Sequence, residues 1–208
     1  MYILGKKQNM TQIFDDNGKC HPVTIVSVGP VTVTQLKDVK TDGYDAIQFG
    51  YDTTSLNKID KPARGKMAKV LGASAVGFRH TKECRLKEGE KNTLKVGDVV
   101  DASVLKEGEK VTISSVSKGK GFQSVIKRHG FKGQPRSHGQ KHSEHAPGSI
   151  GGGLRNKVPK GMRMAGRMGG DRVTSRGLTV MKVDTASNIV LIKGAVPGRR
   201  GTLVEISK

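Results

Sequence analysis

"HPVTIVSVGPVTVTQLK", residues 21–37, decides the fold. Val, Ile and Thr dominate it, and these β-branched side chains lose rotamer freedom in a helix but pack well on a pleated strand. From Val31 to Thr34 apolar and polar residues alternate, the period of two that turns one face of a strand toward a core. Gly29-Pro30 interrupts the run as a turn signal, since proline brings no N–H to a ladder. Two short strands around a turn follow from this reading. A third run, "YDAIQFGYD" at residues 44–52, is entered through Asp42-Gly43, and short strands at such spacing suggest a barrel or sandwich rather than a parallel α/β sheet.

Further along, the pattern changes between residues 57 and 94. "KPARGKMAKVLGAS" places Pro62 where a first helical turn tolerates it, spaces Met67, Val70 and Leu71 for one face and stops near Gly72. A strand-like run at residues 77–86 follows, so a small α+β subdomain is expected inside the β unit. Strand character returns at residues 96–105 and 109–117, joined by a turn at Lys106, Glu107 and Gly108. Residues 178–184, 189–196 and 202–207 close the chain as strands. The expected fold is mainly β. Residues 1–56 form the first part of a barrel, 57–95 an inserted subdomain, 96–117 further barrel, 118–176 a basic extension and 177–208 the last barrel strands.

Regular periodicity largely fails in residues 118–176. The exception is residues 121–131, where Phe122, Val125 and Ile126 are spaced for one helical face. Charge is divided as unevenly as structure. The 208-residue chain has 37 Lys and Arg against 18 Asp and Glu, a net +19, and residues 118–176 supply 14 of those cations with only two acids, Glu144 and Asp171. Such a balance points to a polyanionic partner, through steering and counterion release, and nucleic acid is the foremost one. Within this segment, residues 143–170 hold eight glycines and no aromatic residue, too little large apolar surface to offset the entropy of ordering. Composition leaves two readings of it: a disordered basic tail in mid-chain, or a segment ordered by its partner.

Arg and Lys satisfy phosphates, Arg also stacks on bases, and glycine lets the backbone approach a sugar-phosphate chain. The scarcity of aromatics argues against sheet-face stacking of successive bases and favours a segment threaded through folded RNA. Gly119 and Gly121 permit close approach while Lys118 and Lys120 neutralise charge. "GKGFQS" has Ser124 where a dinucleotide loop needs its third glycine, and no phosphate-loop motif occurs.

Catalytic chemistry finds little support. His138, His142 and His145 could offer imidazoles to a metal, and a metal hydrolase would then carry stoichiometric metal. His142-Ser143-Glu144 resembles the H-x-E of zinc deaminases, but the P-C-x-x-C element that signature requires is missing. Asp15, Asp16, Asp98 and Asp101 read as surface and turn residues. Cys20 and Cys84 are far apart, so neither a disulfide framework nor a thiolate zinc site is indicated. No cofactor, metal or small-molecule substrate is expected, and no leader or membrane-spanning run is evident.

"VSKGKGFQSVIKRHGF" at residues 116–131, "SHG" at 137–139, "HAPGSIG" at 145–151, "KGMRMAGRMGGDRVT" at 160–174 and "LIKGAVPG" at 191–198 resemble the landmarks of the large-subunit ribosomal protein three family, bacterial type. With the opening "GKKQNMTQIFDDNG" and "PVTIV", the resemblance runs through the whole chain in order. It implies a translation-protein-type β-barrel and a cytoplasmic, non-enzymatic constituent of the large ribosomal subunit. Such a protein binds 23S rRNA early, nucleates assembly, extends a loop toward the peptidyl-transferase centre, and lies beside large-subunit proteins fourteen and nineteen. An RNA-binding assembly chaperone acting off the ribosome is the alternative.

The residues expected on rRNA are Lys118, Lys120, Lys127, Arg128, Lys132, Arg136, His138, Lys141, His142, His145, Arg155, Lys157, Lys160, Arg163, Arg167, Arg172 and Arg176. Carried over by position, the loop tip falls at Gly151, Gly152, Gly153, Leu154 and Arg155, with Gly148 as a further turn. Many bacterial relatives have a Gln-Asn-Gln stretch there, with a glutamine that can be methylated. This chain reads Gly152-Gly153-Leu154 and is one residue shorter, so that modification is not expected. Ser124, often glycine in the family, is a smaller departure.

Overall fold

The computed structural model describes residues 2–72, 76–86, 92–152 and 157–208. The chain divides into two compact units, Ser117–Arg172 and the remainder on either side of it.

In the first unit, β1 (Tyr2–Phe14) and β2 (Cys20–Val28) pair antiparallel, with a register shift between Lys7 and Met10. Next come β3 (Val31–Lys37), a one-turn helix α1 (Val39–Asp42), β4 (Ala46–Ser55), α2 (Lys61–Leu71) and β5 (Val76–Arg85). The two-residue β6 (Val99–Val100) and β7 (Lys110–Val116) precede the second unit. That unit contains β8 (Gly121–Gln123), α3 (Val125–His129) and β9 (Gly166–Met168). β10 (Arg172–Asp184), β11 (Ile189–Lys193) and β12 (Leu203–Ser207) complete the chain.

Six strands close a barrel in the order β1-β12-β7-β10-β11-β2, and a second sheet runs β5-β4-β3-β6. The mainly β expectation and the barrel are therefore met. Gly29-Pro30 does not join a hairpin: β2 stays in the barrel, where it pairs with β1 and β11, while β3 pairs with β4 and β6 in the second sheet. The turn is thus the point at which the chain changes sheets.

Alternation explains the barrel interior. On β12 Val204 and Ile206 are buried while Leu203, Glu205 and Ser207 are half-exposed; on β11 Val190 and Ile192 are buried. These join Ile3, Leu4, Val26, Val28, Ile113 and Val180 in one cluster that continues through Val31, Val33, Phe49 and Tyr51 of the second sheet. Between the sheets, the Tyr51 hydroxyl donates to the Ser27 carbonyl at 3.0 Å and Lys6 pairs with Asp52 at 2.6 Å.

Residues 57–94 contribute α2 and β5, as the pattern predicts, and β5 pairs along its length with β4, from Ala46 opposite Arg85 to Ser55 opposite Val76. Met67 of α2 is buried, and its sulfur accepts from the Phe78 N–H at 3.3 Å. Two expectations need correction. Of residues 96–105 only Val99–Val100 is strand. The Asp98 carboxylate accepts from the Lys95 N–H at 2.7 Å in a turn through Gly97, and a 3₁₀ turn, Ala102–Val104, then sends Ala102 and Leu105 into the core. Residues 121–131 are likewise not one helix: Phe122 lies on β8, and helix begins only at Val125.

Candidate nucleic-acid interface

Backbone hydrogen bonds draw the two ends of the unit Ser117–Arg172 together. The Ser117 N–H donates to the Asp171 carbonyl at 2.8 Å, the Asp171 N–H to the Ser117 hydroxyl at 3.3 Å, and the Lys120 N–H to the Met168 carbonyl at 2.9 Å. β8 and β9 continue this ladder, with Gly121 opposite Met168, Phe122 opposite Arg167 and Gln123 opposite Gly166. The chain turns out of β9 through Gly169 and Gly170, at φ +75° and +76°. Gly169 has a second reason to be glycine, because a Cβ there would overlap the Lys118 carbonyl oxygen.

α3 is short, and Gly130 at φ +74° ends it in the left-handed region. Val125 is its buried anchor, and Ile126 lies against Gly133. At the other end of the helix Arg128 donates from Nη1 to the Met164 carbonyl at 2.8 Å, and His129 Nε2 sits 3.1 Å from the same oxygen. Residues 36 positions apart are thereby clasped, with no helix or strand beyond His129 among the described residues between them.

Around this clasp lies a cavity of about 440 Å³ lined by Lys118, Lys120, Arg128, His129, Arg167 and the carboxylate-bearing Asp171, among others. Four cations and one acid around one hollow are the chemistry an anion site needs: a phosphate oxygen placed there would gain charge-assisted donors from more than one direction. The unit's other acid, Glu144, is engaged, accepting from Arg136 Nε at 2.5 Å with His145 Nε2 at 4.0 Å.

Of the residues predicted from sequence, Lys118, Lys120, Arg128 and Arg167 are brought together at the cavity. Lys127 is on α3. Lys132, Arg136, His138, Lys141, His142 and His145 follow along non-repetitive chain, and Lys157, Lys160 and Arg163 precede β9. Arg172 begins β10, and Arg176 lies on that strand within the first unit. All these side chains are exposed. Gly151 and Gly152 are exposed, Gly151 at φ +146°, and Gly148 is at φ +80°; Gly153, Leu154 and Arg155 lie outside the described residues.

Among the described residues, no group of three or more His, Cys, Asp and Glu could hold a metal ion. No helix among them is long and apolar enough to cross a membrane. The sequence reading passed over His129, which reaches the cavity because α3 ends there, and Phe122, which it placed on a helical face. The signal for Phe122 was the strand-like Gly121-Phe122-Gln123 triplet ahead of Ser124.

Comparison with known proteins gives a family match over the middle of the chain and relatives over nearly all of it. A family profile described as ribosomal protein L3 matches residues 85–188, which take in the whole second unit. The chain is 45% identical over 207 residues to the large ribosomal subunit protein uL3 of Herpetosiphon aurantiacus, covering 99% of this chain and 95% of that protein. It is 45% identical over 203 residues to uL3 of Nocardia farcinica, covering 97% and 90% of the two chains. To uL3c of Paulinella chromatophora it is 42% identical over 205 residues, covering 98% and 91%.

Proposed function

The chain belongs to the ribosomal protein L3 family, and from that premise we propose that it is a structural constituent of the large ribosomal subunit that grips 23S rRNA with residues 118–176. It is not an enzyme. The observation that carries the RNA reading is the cavity of Lys118, Lys120, Arg128 and Arg167, set in a unit whose other predicted contact side chains, among the described residues, are also exposed.

The mechanism is electrostatic and geometric. RNA helices repel as they pack, and a chain segment that carries cations at close intervals neutralises phosphates on several strands at once. The hydrogen-bonded base of the unit holds the main chain that carries some of those cations, and the Arg128 guanidinium is itself bonded to the Met164 carbonyl, so less chain entropy is lost there on binding. The long glycine-rich stretch beyond it lets main chain lie close to the sugar-phosphate backbone. In this reading the barrel rests at the subunit surface and the loop tip, residues 151–155, extends toward the peptidyl-transferase centre. Binding is early, so the protein nucleates assembly, and large-subunit proteins fourteen and nineteen are its neighbours.

Purified protein and protein-free 23S rRNA test the reading directly. Affinity should fall steeply with salt, each phosphate contact adding about 0.9 to the log–log slope on duplex-like RNA. An affinity that ignores salt would sink the mechanism. In cells the protein should sediment with large subunits through a high-salt wash, whereas release into the light fractions would favour a chaperone working off the ribosome.

A further inference from the structure

Phe122 is 77% exposed on β8. A phenylalanine ring gains by burial when apolar surface is within reach. Apolar surface is close by, since three residues on Val125 is fully buried, yet Phe122 stays outside it. The ladder explains why. Phe122 lies directly opposite Arg167, and cross-strand partners project from the same face of a hairpin. Their neighbours Gln123 and Gly166 turn to the opposite face, where the Arg128 guanidinium lies over Gly166. The ring is therefore held outward beside an exposed arginine, with Lys120 two residues before it at the rim of the cationic cavity.

Two properties coincide here: an unused aromatic face and a high local positive charge. An acidic protein surface would satisfy the charge and leave the ring in water. An unpaired nucleobase satisfies both, because its flat face stacks on a ring or a guanidinium plane while its own phosphates reach the cations. We propose that Phe122 and Arg167 form a stacking site for one unpaired base of RNA. The proposal rests on the reading of the chain as an rRNA-binding constituent and goes further, by naming a base contact where that reading needs only phosphates.

The chain has no tryptophan, so Phe122→Trp places a single emitter at the site. In the full-length protein its fluorescence should be quenched in step with binding of protein-free 23S rRNA. Inorganic polyphosphate, which has charge but no bases, should leave it unquenched when bound to saturation. Equal quenching by both, or none by bound RNA, overturns the proposal, as does emission that responds to polyglutamate and not to RNA.

Affinity gives an independent readout. Phe122→Leu keeps an apolar side chain without the π face and should weaken rRNA binding roughly 5- to 100-fold with an unchanged salt slope, while Phe122→Tyr should bind as the parent does. An unaltered affinity in Phe122→Leu rejects the stacking site. If the parent protein bound 23S rRNA no better than polyphosphate, the rRNA reading itself would fail, a result distinguishable from failure of the stacking site alone.

Discussion

Arg128 donates a hydrogen bond to the main-chain carbonyl of Met164 at 2.8 Å, so a side chain from the end of α3 holds the segment that leads into β9. The described residues after α3 and before β9 have neither helix nor strand. Replacing the guanidinium with an apolar stem of similar length, Arg128→Met, should cost about 1 kcal/mol locally, the net worth of one exposed hydrogen bond. The Lys120 amide, bonded to the Met168 carbonyl, should then exchange about fivefold faster, while amides at Val190 and Ile206 in the barrel keep their protection. Unchanged exchange at Lys120 would mean that the clasp does not hold the hairpin.

Gly169 and Gly170 separate two costs that usually come together. Both have φ near +75°, so alanine at either pays the left-handed penalty of about 1–2 kcal/mol. At Gly170 a Cβ would meet only Arg167 Nη2 at 3.8 Å, whereas at Gly169 it would collide with the Lys118 carbonyl oxygen. Gly169→Ala should therefore lose clearly more protection at Lys120 than Gly170→Ala does. Equal losses would show that conformation alone, not the close approach, sets the requirement.

The strands were legible wherever burial is one-sided. Ile206 stands between Glu205 and Ser207, and Val31 and Val33 alternate with Thr32 and Thr34, because a half-buried strand writes its period into the chain. Pairing was not legible. Gly29-Pro30 signals a turn, but nothing local says that β2 will take β11, more than 160 residues away, as a partner while β3 leaves for another sheet. Residues 96–105 misled because Val99 and Val100 carry strand character, whereas the Lys95–Asp98 turn is closed by the Asp98 N–H on the Lys95 carbonyl at 3.1 Å and by the Asp98 carboxylate on the Lys95 N–H.

The interface divides in the same way. Its charge could be counted from composition. Its cavity could not, because Lys118 and Arg167 meet only through the ladder that joins Lys120 to Met168. The 122, 125, 126 spacing fits a helix equally well, and what breaks it is Gly121 at φ +70° and an extended Ser124 before the first turn.

Glu83 supplies a pH-dependent contact in the second sheet. Its carboxylate receives Lys37 Nζ at 2.9 Å, the Tyr44 hydroxyl at 2.9 Å and Gln48 Nε2 at 3.1 Å. The Lys37 hydrogen bond most of all, with those of Tyr44 and Gln48, holds the carboxyl below its ordinary value of 4.5. A folded-state value below the unfolded one means that the stabilisation is complete above about pH 4.5 and disappears as pH falls through the folded value. Glu83→Gln should thus lower urea stability at pH 7 and have a smaller effect at pH 3. A difference between variant and parent that does not shrink with acidification would refute the assignment.

Removing residues 143–170 asks what the glycine-rich stretch does for the fold. The buried cluster that unites barrel and second sheet contains no residue of Ser117–Arg172; its members come from β1 to β4, β7, β10 to β12 and the segments around Ala102, Leu105 and Val196. The deletion therefore takes away the β9 half of the hairpin and the Arg128 acceptor at Met164 but no side chain of that cluster. Thermal unfolding of the barrel should shift by only a few degrees, as expected when less than about 1 kcal/mol of core stability is lost. Affinity for 23S rRNA should fall far more, because four described cations, Lys157, Lys160, Arg163 and Arg167, leave with the segment and the cavity loses one wall. The salt slope should decrease by up to about 0.9 for each phosphate contact removed. A barrel that melts with the deletion would make this stretch part of the core, and an undiminished salt slope would show that its cations do not touch phosphate.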